Sequence, residues 1–151
     1  PDLHIVMLPQ LFGTPGWGDY EYMIELEKRV GDERLIALPD TYDSDQQQAI
    51  IRGAEYVIGA RYHSVVFAIN QERPFIALSY EFKIAGLLAK LGMENRMVDI
   101  ENIWTSEETI ENAEKRIDDM IRNINGLGNV SRKQANAIAN QALDEFVERM
   151  A

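Results

Sequence analysis

The sequence has no cysteine and only two histidines, His4 and His63, which lie far apart along the chain. Disulfides and thiolate metal sites are therefore excluded, and a zinc site is not expected because too few ligands remain. We expect neither a metal nor a resident cofactor. No apolar run approaches the length that spans a bilayer, and no signal-peptide pattern opens the chain. The missing export signal favours a cytoplasmic protein, and no integral membrane segment is expected.

Basic residues are also scarce, since 15 Lys and Arg stand against 25 Asp and Glu for a formal net charge of −10. This balance argues against nucleic acid as a partner, because a nucleic-acid surface needs clustered Lys and Arg. It argues equally against an anionic membrane surface. On such an acidic background, a local group of basic side chains in one place becomes informative.

Short apolar runs alternate with amphipathic segments along most of the 151 residues. Runs of this length without strict alternation are typical of strands buried on both faces. We predict a single α/β domain with a doubly wound, mainly parallel five-stranded sheet of Rossmann-like type. Apolar stripes after the fifth run predict extra C-terminal helices, the last of them over Ser131 to Met150. The five predicted strands are His4–Leu8, Arg34–Leu38, Glu55–Gly59, Pro74–Leu78 and Arg96–Ile100.

The third run ends at Gly59, and Arg61, His63 and Ser64 follow at the start of a predicted helix. In an open α/β sheet, ligands bind outside the carboxyl ends of the strands. The first turn of a helix offers unpaired N–H groups and a partial positive charge. A guanidinium and an imidazole at the same place add side-chain donors. The pattern predicts a site for a small anion, such as a phosphate or a carboxylate.

Each of these residues also has a purely structural interpretation. Arg61 binds an anion or forms a salt bridge on an acidic protein, and its position favours the anion. His63 donates to an anion or transfers a proton, or its ring is satisfied by a backbone carbonyl. Ser64 orients the anion or caps the helix. After the fourth run, Tyr80 and Lys83 either reach the same cleft or belong to a solvated helix start.

The stretch Ala54 to Lys83 resembles the signature region of polysaccharide pyruvyl transferases. The similarity rests on an apolar strand that ends in Gly-x-Arg-x-His-Ser, a helix, a strand opened by proline, a tyrosine and a lysine three residues later. The segment around Gln10, with its following glycines, resembles the family's earlier strand and loop. The resemblance covers roughly Ile5 to Ile100 and is loose outside the Arg61–His63 motif. Tyr62 departs from the aliphatic residue usual in the family.

The resemblance implies that this chain is the C-terminal half of a longer, GT-B-like enzyme that is active only with its N-terminal domain. Such an enzyme transfers the enolpyruvyl unit of phosphoenolpyruvate to a sugar or lipid-linked saccharide and forms a pyruvate ketal during cell-surface polysaccharide synthesis. A peripheral position at the inner membrane face is compatible with this. The implied catalytic residues are Arg61 and His63, and the implied substrate-binding residues are Gln10, Arg61, His63, Ser64, Tyr80 and Lys83.

Two other interpretations remain open at this point. One is the donor-binding half of a GT-B nucleotide-sugar glycosyltransferase, although no Gly-Gly loop and no downstream glutamate for ribose are evident around Ala60–Asn70. The other is a non-catalytic interaction module, which the acidity and the terminal helices permit. Selective stabilisation by phosphoenolpyruvate, by a nucleotide-sugar or by neither discriminates the three.

Overall fold

A computed structural model describes residues 3–13, 18–80, 82–127, 132–137 and 140. The chain divides into two compact units, Pro1–Ala49 (unit 1) and Ile50–Ala151 (unit 2). Strands and helices alternate in both units, so the α/β class predicted from the sequence is confirmed. Most of the predicted last helix, Ser131 to Met150, falls outside the described residues, although residues 132–137 are helical.

Unit 1 contains a two-stranded parallel sheet. Strand β1 (Ile5–Met7) is followed by helix α1 (Asp19–Val30) and strand β2 (Leu35–Ala37), with Ile5 opposite Leu35. Helix α2 (Ser44–Arg52) begins in this unit. Ser44, the predicted N-cap, is already the first helical residue. Asp43 caps the helix instead, because its Oδ1 accepts a hydrogen bond of 2.9 Å from the backbone N–H of Gln46.

Unit 2 contains a three-stranded parallel sheet in the order β3–β4–β5, with β4 in the centre. Its strands are β3 (Val57–Gly59), β4 (Phe75–Ser79) and β5 (Met97–Asp99). Helix α3 (Tyr62–Asn70) connects β3 to β4, and helix α4 (Phe82–Leu91) follows β4. Helix α5 (Glu107–Arg122) follows β5 after the 3₁₀ helix Ile103–Thr105.

The prediction that all five strands pair in one sheet is therefore wrong. Within the described residues the strands form two parallel ladders, one joining β1 to β2 and one joining β3, β4 and β5. A short apolar run predicts a buried strand, but it carries no information on which other strand it pairs with. The single-domain description and the place of the chain in a longer enzyme stay predictions.

In unit 2, helices pack on both faces of the sheet and form an apolar core with it. On one face, α3 and α4 pack against β4 through Val65, Ile69, Phe75, Ile84 and Leu88. On the other face, α5 packs against β4 and β5. Gly92 ends α4 with a φ of 64°, as the sequence predicts, because this left-handed conformation favours glycine. The carboxyl ends of all three strands emerge at one edge of this layered core.

A charged residue, Arg96, lies within the core of unit 2. Arg96 is only 2% exposed, and its guanidinium carbon lies 4.9 Å from the centroid of the Phe75 ring. Its Nη2 donates a hydrogen bond of 2.9 Å to the carbonyl of Leu127. Burial lowers the pKa of Arg96 from its usual value, since desolvation disfavours the charged form. The sequence predicted a strand start at this position, whereas Arg96 ends a 3₁₀ helix before β5.

Candidate functional site at the carboxyl edge of the three-stranded sheet

The register of unit 2 brings three strand ends to the same edge. Gly59 of β3 lies opposite Ala77 of β4, and Ser79 of β4 lies opposite Asp99 of β5. The backbone N–H of Ile100 donates to the carbonyl of Ser79 over 2.8 Å, which extends the pairing past the strands. The segments that follow these ends therefore share one edge, where open α/β sheets bind ligands.

The turn from β3 into α3 is tightly packed. A Cβ at Gly59 would lie 2.5 Å from the Ser64 Oγ, so the turn has no room for a side chain there. The Ser64 hydroxyl donates a hydrogen bond of 2.6 Å to the carbonyl of Arg61. Ser64 thus braces the turn, but it does not cap the helix, because Arg61 is the N-cap residue and no side chain caps α3. The predicted contact of Ser64 with an anion stays a prediction.

Arg61 occupies the N-cap position of α3 with extended backbone angles, φ −103° and ψ 144°. Its side chain is half-buried, and its Nη1 donates a hydrogen bond of 2.9 Å to the Tyr80 hydroxyl. This bond links the segments after two neighbouring strands. It holds a permanently charged, fork-shaped donor beside the start of a helix, where anions are favoured.

His63 lies in the first turn of α3 and is exposed. Its ring centroid is 6.0 Å from that of Tyr62 and 6.1 Å from that of Phe67, so aromatic rings flank the imidazole. The two-residue spacing from Arg61 keeps both side chains within the entry to the same helix. An exposed imidazole there is accessible to a ligand, as donor or as proton carrier.

Lys83 lies in the first turn of α4 and is exposed. Helix α4 starts three residues after β4 ends, so Lys83 belongs to the same edge as Arg61 and Tyr80. The structure thus places Arg61, His63, Ser64, Tyr80 and Lys83 on the segments that follow two adjacent strands.

Gln10 follows β1 in unit 1. Its Nε2 donates a hydrogen bond of 2.6 Å to Oε1 of the buried Gln47, and the Gln47 amide donates to the carbonyl of Tyr42 over 2.9 Å. The backbone N–H groups of Gln10 and Leu11 both donate to Oδ2 of Asp19, at 3.1 and 2.9 Å. Gln10 therefore sits in an ordered loop, and its role in substrate binding stays a prediction.

Sequence reasoning missed two residues at the edge of unit 2. Asp99 ends β5, is exposed, and its Oδ1 accepts a hydrogen bond from the N–H of Glu101. Trp104 lies in the 3₁₀ helix just beyond it. The signal was available, because the carboxyl-edge rule applies to the fifth run as well as to the third and fourth.

Two other features bear on the choice of site. Among the described residues, no group of three or more His, Asp or Glu side chains could hold a metal ion. A surface cavity of about 560 Å³ lies beside α5 at the amino end of β5, lined by residues such as Asn95, Asn112 and Arg116. It lies away from the carboxyl edge that carries Arg61, and its charged lining residues are Lys115, Arg116 and Asp119.

These observations define an α/β protein with basic and hydroxyl side chains grouped at the carboxyl ends of parallel strands. Residues 3–81, which are 79 of the 151 residues, match the family model for polysaccharide pyruvyl transferase. The chain therefore belongs to the polysaccharide pyruvyl transferase family, as its sequence motif predicts. The matched segment includes Gln10, Arg61, His63 and Tyr80, whereas Lys83 lies just beyond its end.

A curated relative is the amylovoran biosynthesis protein AmsJ of Erwinia amylovora, which is 27% identical over 71 residues. The match covers 47% of this chain and 17% of the relative's length. No solved structure matches the chain. In the part of the chain that the structure describes, no helix combines the length and hydropathy needed to cross a bilayer.

Proposed function

We propose that this chain is the donor-binding, C-terminal Rossmann-like half of a GT-B-like polysaccharide pyruvyl transferase in exopolysaccharide synthesis. The observation that carries the proposal is the Arg61–Tyr80 hydrogen bond of 2.9 Å at the N-terminus of α3, inside the segment that matches the family. The donor is phosphoenolpyruvate, a compact molecule with a phosphate and a carboxylate. The acceptor is a sugar or lipid-linked saccharide, and the reaction takes place in the cytoplasm, where this donor is available.

Arg61 binds the phosphate or the carboxylate of the donor. A guanidinium keeps its charge at all relevant pH values and matches both anions with two parallel N–H groups. The Tyr80 hydroxyl accepts one of its N–H groups and thereby sets the direction of the fork. The N–H groups of the first turn of α3 add fixed dipoles that favour the same charge.

His63 is the proposed acid, placed two residues beyond Arg61. In the transfer, a proton adds to the methylene carbon of phosphoenolpyruvate, and one acceptor hydroxyl bonds to the central carbon. Phosphate then leaves with the electron pair of its C–O bond, and a second hydroxyl closes the ketal. The two hydroxyl protons balance the proton added to carbon and the one taken up by phosphate or solvent. Lys83 adds positive charge for the departing phosphate.

Calorimetric titration of the chain with phosphoenolpyruvate tests the donor site, with inorganic phosphate and a nucleotide diphosphate-sugar as comparison ligands. We expect binding that is selective for phosphoenolpyruvate and that Arg61→Ala weakens by about 100-fold, since it removes a charge-assisted double contact. Arg61→Lys should recover only part of this affinity. Arg52→Ala is the matched control, because Arg52 is an exposed arginine of the same unit that donates to Gln71 instead.

Turnover is measured in the longer protein that this proposal implies. There Arg61→Ala should reduce phosphate release by about 100-fold to 1,000-fold while the thermal unfolding temperature changes little, because Arg61 lies at a strand end outside the core. Unimpaired turnover by that variant would refute the donor-site assignment. Selective binding of the nucleotide-sugar would point to a glycosyltransferase instead.

A further inference from the structure

Two large aromatic side chains stand in solvent at the candidate edge. Trp104 is 82% exposed and Phe82 is 80% exposed, the highest values among the large hydrophobic residues that the structure describes. Phe82 opens α4 after β4, and Trp104 lies in the 3₁₀ helix after β5. Because β4 and β5 are paired and parallel, both aromatic residues belong to the edge that carries Arg61 and Tyr80.

The segment that carries Trp104 is firmly anchored. The preceding residue, Ile103, packs against the core between α5 and the sheet, and its carbonyl accepts a hydrogen bond of 2.6 Å from Thr109 Oγ1. Thr105 Oγ1 donates to the carbonyl of Asn102 over 2.8 Å, and Ser106 caps α5 in a reciprocal box with Thr109. The exposed indole of Trp104 is therefore attached to a backbone segment that hydrogen bonds and core packing hold in place.

Phe82 is the first residue of α4, on the other face of the sheet. Two residues later, Ile84 is fully buried in the cluster formed by α3, α4 and β4. Helix α4 covers one face of the sheet and α5 covers the other. Phe82 and Trp104 thus stand on the two sides of the carboxyl edge, with the segments that carry Tyr80 and Asp99 leading out between them.

The chemistry of these two rings fits a saccharide. A pyranose presents a face of C–H groups with slight positive charge, which packs against the negative face of an aromatic ring. Exposed aromatic groups beside a polar site are typical of ligand-binding surfaces. The formal charge of −10 opposes an anionic lipid surface as the occupant.

We propose that Trp104 and Phe82 form a saccharide-binding platform that holds the acceptor chain across the carboxyl edge, beside the Arg61–Tyr80 pair. The proposal rests on the proposed function, because that function supplies a saccharide as the second substrate. Trp104 stacks on one sugar ring of the acceptor chain and Phe82 on another. The platform thereby fixes which sugar of the chain presents its hydroxyls to the donor.

The test uses methyl β-lactoside as the probe, a disaccharide whose galactose ring has a continuous apolar face. Binding to this chain is measured by saturation-transfer NMR and by titration. We expect transfer to the galactose C–H protons and a dissociation constant that rises about fivefold to tenfold in Trp104→Ala. Phe82→Ala should raise it less, and Trp104→Phe should stay within about twofold of the parent.

Tyr22→Ala is the matched control, because Tyr22 is an aromatic residue of unit 1 that is also strongly exposed, at 65%. It should leave lactoside binding unchanged. Phosphoenolpyruvate binding should be unaffected by Trp104→Ala, which separates a platform from a general loss of structure.

The outcomes of the two proposals are distinguishable. If the lactoside does not bind, or binds Trp104→Ala as well as the parent, the platform is overturned even where phosphoenolpyruvate binds. If lactoside binding depends on Trp104 and phosphoenolpyruvate does not bind, the platform stands and the donor assignment fails. Protection of Trp104 from hydroxyl-radical labelling in the longer protein without saccharide would also overturn the platform, since another segment would then cover the indole.

Discussion

Unit 1 and unit 2 both pair parallel strands, but different side chains surround those strands. In unit 2, most of β4 is buried because helices cover both faces of the sheet. In unit 1, Ile5 and Val6 of β1 are exposed, and none of the residues of α1, all of which the structure describes, is buried. Unit 2 thus carries an apolar core of its own, whereas the apolar side chains of unit 1 remain largely uncovered within that unit.

Side-chain hydrogen bonds connect the loops of unit 1. Asp19 accepts two backbone N–H groups of the loop after β1, and Gln10 bonds the buried Gln47. Asp32 and Arg34 form a double hydrogen bond in the turn before β2. A net hydrogen bond is worth about 1 kcal/mol, less than the burial of one large apolar side chain. We therefore expect the truncation of an apolar side chain to lower the free energy of unfolding far more in unit 2 than in unit 1.

Truncating one leucine in each unit gives the largest expected difference. Leu88→Ala removes a fully buried side chain of α4 and should lower the free energy of unfolding by about 2–5 kcal/mol, through lost burial and a residual cavity. Leu26→Ala acts on α1, where the side chain is 48% exposed, and should cost less than about 1 kcal/mol. Urea unfolding followed by circular dichroism measures both. Equal costs would show that α1 is covered as well as α4, and the contrast between the units would be lost.

Much of unit 2 could be predicted from the sequence, because its signals are local. Apolar runs ended by glycine or followed by polar residues gave the strands β3 and β4, and Gly92 gave the end of α4. The edge site followed from one rule about parallel strands together with the residues Arg61, His63 and Tyr80. The family membership followed from the same motif.

What could not be predicted depends on contacts between distant residues. The division of the strands into two ladders is a matter of pairing, which short runs do not encode. The Arg61–Tyr80 bond joins residues 19 apart, and sequence alone placed them only at the same edge. The sequence predicts Arg96 as the start of a strand and gives no sign that its side chain is buried over Phe75. The exposure of Trp104 depends on how Ile103 enters the core.

A substitution in the tight turn after β3 should have an effect of intermediate size on stability. This turn lies where the core of unit 2 meets its polar edge. Gly59→Ala places a methyl group 2.5 Å from Ser64 Oγ and 3.2 Å from Val65 Cγ2, and should destabilise the protein by about 1–3 kcal/mol. Adding Ser64→Ala removes the closest contact. The double variant should therefore be more stable than the sum of the two single changes predicts, by about 0.5–2 kcal/mol. Strict additivity in urea unfolding would mean that Ser64 does not limit the space at Gly59.

The smallest expected effect lies in the polar turn of unit 1. Hydrogen bonds from Arg34 lower the pKa of Asp32 to about 2, from its usual value of 3.8. A pKa lowered on folding contributes stability above about pH 4, and this contribution is lost as the pH falls from about 4 towards 2. Asp32→Asn should therefore be slightly less stable than the parent at pH 6 and equal to it near pH 2. High salt should shrink the gap, since the pair is exposed.

Arg34→Gln is the matched control for this last comparison, because it leaves Asp32 in place without its guanidinium partner. In that background, Asp32→Asn should have a smaller pH-dependent effect on the urea midpoint between pH 2 and pH 6, because the guanidinium bonds are lost while the backbone N–H of residue 34 still donates to Asp32 Oδ1. A gap between parent and Asp32→Asn that stays constant over this range would show that ionisation of Asp32 contributes nothing to unit 1. We expect the Asp32–Arg34 pair to contribute much less to the free energy of unfolding than the Leu88 side chain does. The reason is solvent exposure, because water and salt screen a surface ion pair. A buried leucine that is truncated leaves a cavity that nothing fills.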